Sequence, residues 1–144
     1  MAAIWKSPLT LDEINAFSLN TAVSHLGIEV TELGDDYVKA CMTVDSRTRQ
    51  PMGLLHGGAS VLLAETLGSI ASLMAAEPGS KCVGLEVNAN HLKAVSKGHV
   101  IGTATPLHIG KSTQVWSITI QTPQGQDVCV SRLTVAVMEK LPAT

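Results

Sequence analysis

Glu65 is the residue whose type and surroundings most strongly favour chemistry. It stands inside an apolar run that extends from residue 59 to residue 76. A carboxylate buried in such a run costs free energy unless it is hydrogen-bonded or used, and burial raises its pKa toward the range of a general base. Ser69 lies one helical turn further on, where its hydroxyl is expected to hold the carboxylate by a hydrogen bond. The alternative is an ordinary solvated helical glutamate.

The segment His56-Gly57-Gly58 comes directly before this run. The first N–H groups of a helix have no intrahelical partner, and here they would gather about two turns from Glu65. Such N–H groups suit an oxyanion that develops during acyl transfer. The alternative is a glycine turn that only admits the chain to the helix. Gln50, in the polar loop ahead, is a weaker candidate for the same site.

Several familiar signatures are incomplete. The segment Gly110-Lys111-Ser112 resembles the end of a phosphate-binding loop, but Thr105 stands where that loop needs a glycine. The His-Gly-Gly segment lacks the Gly-x-Ser-x-Gly elbow of serine hydrolases. The five histidines show no metal-ligand spacing. We therefore expect no nucleoside triphosphate site, no metal and no cofactor.

The elements that must position these residues follow from periodicity. Thr10 and Glu13 form a capping-box pattern, which predicts a helix from Leu11 to about Asn20. Alternating residues around a Gly-Asp-Asp turn predict a hairpin over 27–44. Helical spacing in the apolar run places large side chains on the core face of the helix: Leu63, Leu67, Ile70 and Met74. Small residues and Glu65 lie on the opposite face.

The second half of the chain is expected to be all strand. Turn signals separate strands predicted at 82–93, 99–108, 112–122 and 127–138. With the early hairpin they give about six mostly antiparallel strands around one long helix, apolar or small nearly all round. This is an α+β pattern without the alternation of a parallel sheet.

Composition limits the classes of protein. The 144 residues predict one domain over 1–144, and 45% apolar against 15% charged residues predicts a subunit interface. A net charge of −2 excludes nucleic acid, although the part after Val87 carries five Lys and Arg against two Asp and Glu, which suits a local anion site. Three cysteines without a pairing pattern, and no signal peptide, favour the cytoplasm. Glu65 and three serines inside the apolar run argue against a membrane partner.

These residues resemble the hotdog-fold acyl-CoA thioesterases of the PaaI-like branch. Within that branch the chain is similar to the group of 1,4-dihydroxy-2-naphthoyl-CoA hydrolases and enterobactin-proofreading thioesterases. The resemblance covers roughly residues 4–138. It is carried by His-Gly-Gly followed by Glu65 and Ser69, by Asn88-Ala89-Asn90-His91, and by the segments 4–6, 45–48, 50–60, 83–87, 106–110 and 131–134.

The resemblance implies a hotdog fold, a long helix wrapped by a curved sheet, in a dimer or a dimer of dimers. It also implies an acyl-CoA thioesterase that favours aromatic acyl groups. In such an enzyme Glu65 would be the catalytic carboxylate, supported by Ser69, and the Gly57 N–H would donate to the thioester carbonyl. Gln50 and His56 would position the substrate. Gln50, His56 and Gly57 would face the partner's carboxylate across the interface. The implied coenzyme A contacts are Gly84, His91, Leu92, Lys93, Ala94, His108, Ile109, Gly110, Lys111, Ser112 and Thr113.

The chain departs from the family pattern at Met52, where an aromatic residue is usual, and at Lys93, where arginine is common. These departures concern the shape of the acyl pocket and one phosphate contact. Three alternatives remain open: general base or nucleophile for Glu65, coenzyme A or a carrier protein as the thiol, and dimer or tetramer. A hotdog hydratase and a non-catalytic acyl-CoA-binding module are the rival functions.

Overall fold

A computed structural model describes residues 2–139 and contains three helices: α1 (Leu11–Phe17), α2 (Ala22–His25) and α3 (Gly57–Ala75). The capping box of α1 is present, since Glu13 N–H donates to Thr10 Oγ1 (3.1 Å) and Thr10 N–H donates to Glu13 Oε2 (2.9 Å). The prediction of one helix to Asn20 was wrong at its end. Asn20 has φ 60°, and Thr21 caps the separate helix α2.

Six strands form one antiparallel sheet: β1 (Ile28–Leu33), β2 (Val38–Thr43), β3 (Lys81–His91), β4 (His99–Ile109), β5 (Thr113–Gln121) and β6 (Asp127–Met138). Their order is β1-β2-β4-β5-β6-β3, so the strand that follows α3 lies at one edge of the sheet, beside the last strand. The sheet curves around α3. The prediction of an α+β hotdog fold is confirmed.

The core lies between α3 and the concave face of the sheet. The predicted core face of α3 is buried and meets strand residues that are fully buried as well: Trp116, Ile118 and Leu133. By length and composition α3 is apolar enough to cross a membrane, but 61% of it is buried inside the fold. One side of α3 is not fully covered within this chain, since Val61, Glu65 and Ser69 are only half-buried. The α1–α2 segment covers this side incompletely.

A β-bulge at Leu85 changes the facing of the edge strand. Gly84 pairs with Val135 and Glu86 pairs with Thr134, so Leu85 has no partner of its own on β6. Successive strand residues alternate between faces, and an extra residue shifts that alternation by one. As a result Gly84 and His91 both face α3, although their separation along the chain would put them on opposite faces of a regular strand.

The N-terminal segment closes the far end of α3. The N–H groups of Lys6 and Ser7 both donate to the Met74 carbonyl (2.9 Å each), and Ser7 Oγ donates to the Ala76 carbonyl (2.8 Å). Trp5 stacks on Trp116, with ring centroids 6.1 Å apart and 15° between the planes. These bonds satisfy carbonyl groups that the last turn of a helix leaves without partners.

Candidate active site

The first turn of α3 leaves one backbone donor without an acceptor. His56 is the N-cap, and its Nδ1 accepts from Gly58 N–H at 2.8 Å. The His56 carbonyl accepts from Ala59 N–H (3.0 Å) and Ser60 N–H (3.2 Å). Within residues 2–139 the Gly57 N–H has no hydrogen-bond acceptor. It is therefore available to a ligand at the positive end of the helix.

The loop before α3 is tied down by its own hydrogen bonds. The Gln50 N–H donates to the Leu54 carbonyl (2.8 Å), Gly53 N–H donates to the Gln50 carbonyl (2.9 Å), and His56 N–H donates to the Thr48 carbonyl (2.7 Å). Gly53 supplies the positive φ, 81°, that this turn needs. Gln50 Oε1 accepts from Met52 N–H, which turns its carbonyl oxygen inward to the loop. The loop therefore holds Gln50 in a fixed place next to the start of α3.

A cavity of about 340 Å³ joins this loop to the end of β3. Its lining includes Gln50, Gly57 and the segment 91–94. The His91 ring lies against Gly57, so that a Cβ at Gly57 would come within 2.7 Å of His91 Nε2. The structure thus brings Gln50 and Gly57 together with four of the eleven predicted coenzyme A contacts: His91, Leu92, Lys93 and Ala94.

Glu65 lies in a second, largely apolar cavity of about 440 Å³. The cavity lies between α3 and the α1–α2 segment, and Ser69 lines it as well. No hydrogen bond or ion pair among residues 2–139 involves the Glu65 carboxylate, so the expected bond from Ser69 is absent. The carboxylate is directed toward the sheet and not along the helix to Ser69. Its Oε1 lies instead against Gly84 of β3.

The two cavities are separated along α3. Glu65 follows Gly57 by eight residues, which is about 12 Å along the helix axis. A reacting carbonyl needs both its oxyanion donor and its base within about 3 Å. A single chain therefore does not present Gly57 and Glu65 to the same thioester.

The predicted contacts of the segment 108–113 lie at the opposite end of α3, whereas Gly84 lies beside Glu65. Ile109, Gly110 and Lys111 line a cavity of about 580 Å³ together with residues 75–78, at the C-terminal end of the helix. Lys111 Nζ is 3.6 Å from Glu139 Oε1, and Gly110 N–H donates to the Thr113 carbonyl at 2.8 Å. The structure does not bring the segment 108–113 next to the segment 91–94 within one chain.

Sequence reasoning missed the side of the Glu65 cavity that α1 and α2 provide. Phe17, Thr21 and Val23 line it, and the short helix α2 that carries Val23 was not predicted. A signal was present, because Thr21 and Ser24 form a second capping box. The turn of chain between α1 and α2 therefore builds part of the site.

Other catalytic chemistries find little support in the described residues. Burial raises the pKa of the Cys41, Cys82 and Cys129 thiols, which keeps them protonated and poorly nucleophilic. Within residues 2–139 no group of three or more His, Cys, Asp or Glu could hold a metal ion. Within residues 2–139 the Glu65 carboxylate and the Gly57 N–H each line a cavity and have no hydrogen-bond partner.

Comparisons with known proteins identify the family of the chain. Residues 52–129 match the family model of the thioesterase superfamily. The chain is 54% identical to the proofreading thioesterase EntH of Cronobacter turicensis over 135 residues, which is 94% of this chain and 98% of that protein. A crystal structure of a thioesterase from Haemophilus influenzae has a TM-score of 0.94 and 50% identity, covering 96% of this chain and 97% of its own.

A more distant relative has been solved in two substituted forms. A Staphylococcus aureus thioesterase with a glutamine-to-alanine substitution has a TM-score of 0.78 and 36% identity, covering 81% of this chain and 98% of its own. The same protein with a glutamate-to-alanine substitution has a TM-score of 0.77 and 38% identity, covering 80% of this chain and 96% of its own. The two replaced residues have the same separation along that chain as Gln50 and Glu65 have here. By family match, identity and fold, this chain belongs to the thioesterase superfamily and is a thioester hydrolase.

Proposed function

We propose that the protein hydrolyses acyl-CoA thioesters with aromatic acyl groups, using Glu65 as the catalytic carboxylate. The observation that carries this proposal is the position of Glu65, on the wall of a cavity whose other lining is mainly apolar, including Phe17, Val23, Leu62 and Ile70. A cavity of this volume and lining suits a small apolar group with one polar anchor. The acyl group occupies the cavity, and the thioester carbonyl lies at the carboxylate.

The chemistry needs one carboxylate and one carbonyl donor. As a general base, Glu65 takes a proton from water while the water oxygen attacks the thioester carbon. The oxyanion accepts a hydrogen bond from Gly57 N–H, and collapse breaks the C–S bond. The thiolate leaves without an acid, since a thiol with a pKa of about 8.5 is a good leaving group, and is protonated by solvent. As a nucleophile, Glu65 attacks the carbon directly, and water then hydrolyses the mixed anhydride.

The complete site forms between two subunits in this proposal. The separation of Glu65 from Gly57 along α3 supports it, since an isologous dimer brings the same two groups together twice. The edge strand β3 offers the contact. It is paired only on its β6 side, and it exposes Val83 and Leu85, with exposed fractions of 46% and 62%. Such an edge pairs readily with a second copy, and pairs of dimers then give a tetramer.

Thiol release from benzoyl-CoA, followed with a thiol reagent, tests the substrate class. We expect kcat/KM for benzoyl-CoA to exceed that for a saturated acyl-CoA of equal carbon number. Equal values for the two would contradict the aromatic preference, while leaving thioester hydrolysis in place. Presenting the same acyl group on a carrier protein compares the two thiols. After a single turnover in ¹⁸O-labelled water, ¹⁸O in the Glu65 peptide would identify the nucleophile route, because the label enters the carboxylate only when water attacks the Glu65 carbonyl carbon of a mixed anhydride.

A further inference from the structure

The Glu65 carboxylate lies where a side chain at Gly84 of the edge strand would be. A Cβ at this position would lie 2.7 Å from Glu65 Oε1 and 3.6 Å from Leu133 Cδ1. The first distance is shorter than real Cβ contacts allow, whereas the second is an ordinary contact. The carboxylate therefore occupies the volume that a side chain at residue 84 would take.

The backbone does not require glycine there. Gly84 is not among the glycines with positive φ, which in residues 2–139 are Gly27, Gly53, Gly79, Gly98 and Gly125. Alanine would adopt the same strand conformation, and strands favour glycine least of the small residues. Space for the carboxylate, and not backbone freedom, is the physical requirement for glycine at this position.

The bulge at Leu85 completes this arrangement. Without the extra residue, either Gly84 or His91 would face away from α3. With it, Gly84 faces Glu65 while His91 faces Gly57, so one strand contacts both halves of the proposed machinery. The edge strand thus determines the position of the Glu65 carboxylate, which lies beside Gly84 on the wall of the apolar cavity.

We propose that Gly84 is a positioning residue for Glu65, acting by leaving a slot for its carboxylate. This inference rests on the proposed catalytic role of Glu65. A methyl group at residue 84 pushes the carboxylate out of the slot at little cost in stability, because the displaced atom is the end of a flexible side chain. The alternative role for Gly84, a coenzyme A contact, would appear in substrate binding and not in the chemical step.

The variant Gly84→Ala separates these roles. We expect kcat to fall by about 100-fold, the typical cost of a 1 Å misplacement, with KM and the melting temperature nearly unchanged. Gly102→Ala is the matched control. Its Cβ would come within 2.6 Å of Leu67 Cδ1 in the core, so it is expected to lower the melting temperature and leave kcat within about twofold. A Gly84→Ala variant with raised KM and unchanged kcat would overturn the proposal.

A double-mutant cycle gives the decisive measurement. Glu65→Asp shortens the side chain by one carbon, about 1.5 Å, and removes the overlap with a methyl group at residue 84. We expect Gly84→Ala to lower kcat by less than about threefold in the Glu65→Asp background, so the two effects are strongly non-additive. Equal penalties in both backgrounds would contradict a steric slot. Full activity of Glu65→Gln would instead show that Glu65 is not catalytic. That result would contradict the proposed function itself, and it is distinct from every outcome of the double-mutant cycle.

Discussion

The two proposed halves of the active site are held by different forces. At the start of α3, Gln50 and His56 lie in a network of hydrogen bonds within the loop, beside the unpaired N–H of Gly57. Glu65, two turns further on, has no hydrogen bond among the described residues and is held by packing against Gly84 and the apolar cavity wall. Hydrogen bonds fix direction, whereas packing fixes only the available volume. The donor half is therefore expected to tolerate little change in its loop, and the carboxylate half to respond to volume.

The largest expected effect is at the carboxylate. Glu65→Gln keeps the shape of the side chain but removes its basicity, so we expect kcat to fall by about 1,000-fold with an unchanged melting temperature. Glu77→Gln is the control, an exposed glutamate paired with Lys6 at 3.1 Å, and its activity should stay within about twofold. A Glu65→Gln enzyme with near wild-type thiol release would show that the carboxylate of Glu65 takes no part in the chemistry.

Mixing inactive subunits tests whether the two halves meet between chains. Gln50→Ala and Glu65→Ala proteins, unfolded together and refolded in equal amounts, should regain about a quarter of the wild-type sites, since half of the dimers are mixed and each restores one of its two sites. Thiol release measures the recovery, and each variant refolded alone is the control. No recovery, in a mixture that light scattering shows to be dimeric or larger, would place the whole site within one chain.

Substitutions at the N-cap His56 distinguish its contribution to stability from its contribution to catalysis. His56→Ala removes the acceptor of Gly58 N–H, so we expect the free energy of unfolding to fall by about 1 kcal/mol. His56→Asn restores a good N-cap and should recover most of that loss in urea titrations. If the two variants were equally stable, the imidazole would not be the cap that the geometry indicates. Comparing their kcat values then isolates what the ring adds beyond capping.

The smallest effect is expected at the far end of α3, outside both halves. Lys111 is exposed and its pair with Glu139 is long, so Lys111→Ala should raise KM for acyl-CoA only a few-fold, less at high salt, and leave kcat unchanged. Lys97→Ala, an exposed lysine in another turn, is the control. A thioester of pantetheine lacks the nucleotide phosphates and should not distinguish wild type from Lys111→Ala. Loss of kcat on that substrate would place Lys111 in the chemistry.

The same contrast explains what the sequence revealed. Capping, turn and periodicity signals are local, so they predicted α1 at its start, the hairpin, β6 at its bounds and the segment that precedes α3. The contact between Gly84 and Glu65 depends on the sheet order and on a bulge, neither of which leaves a local pattern. The predicted Ser69 hydrogen bond is absent for a related reason, since helical spacing gives a shared face but not which neighbouring element a flexible carboxylate turns toward.

The stacking of Trp5 on Trp116 has a consequence for spectroscopy. These are the only two tryptophans of the chain, and both lie where the N-terminal segment closes the far end of α3. Intrinsic fluorescence therefore reports the docking of that segment and is nearly blind to the cavity around Glu65. A fluorescence melting curve and an activity-loss curve are expected to coincide only if the whole chain unfolds in one step. If the two curves diverge, the fluorescence reports unfolding around Trp5 and Trp116, whereas the activity reports loss of structure around Glu65.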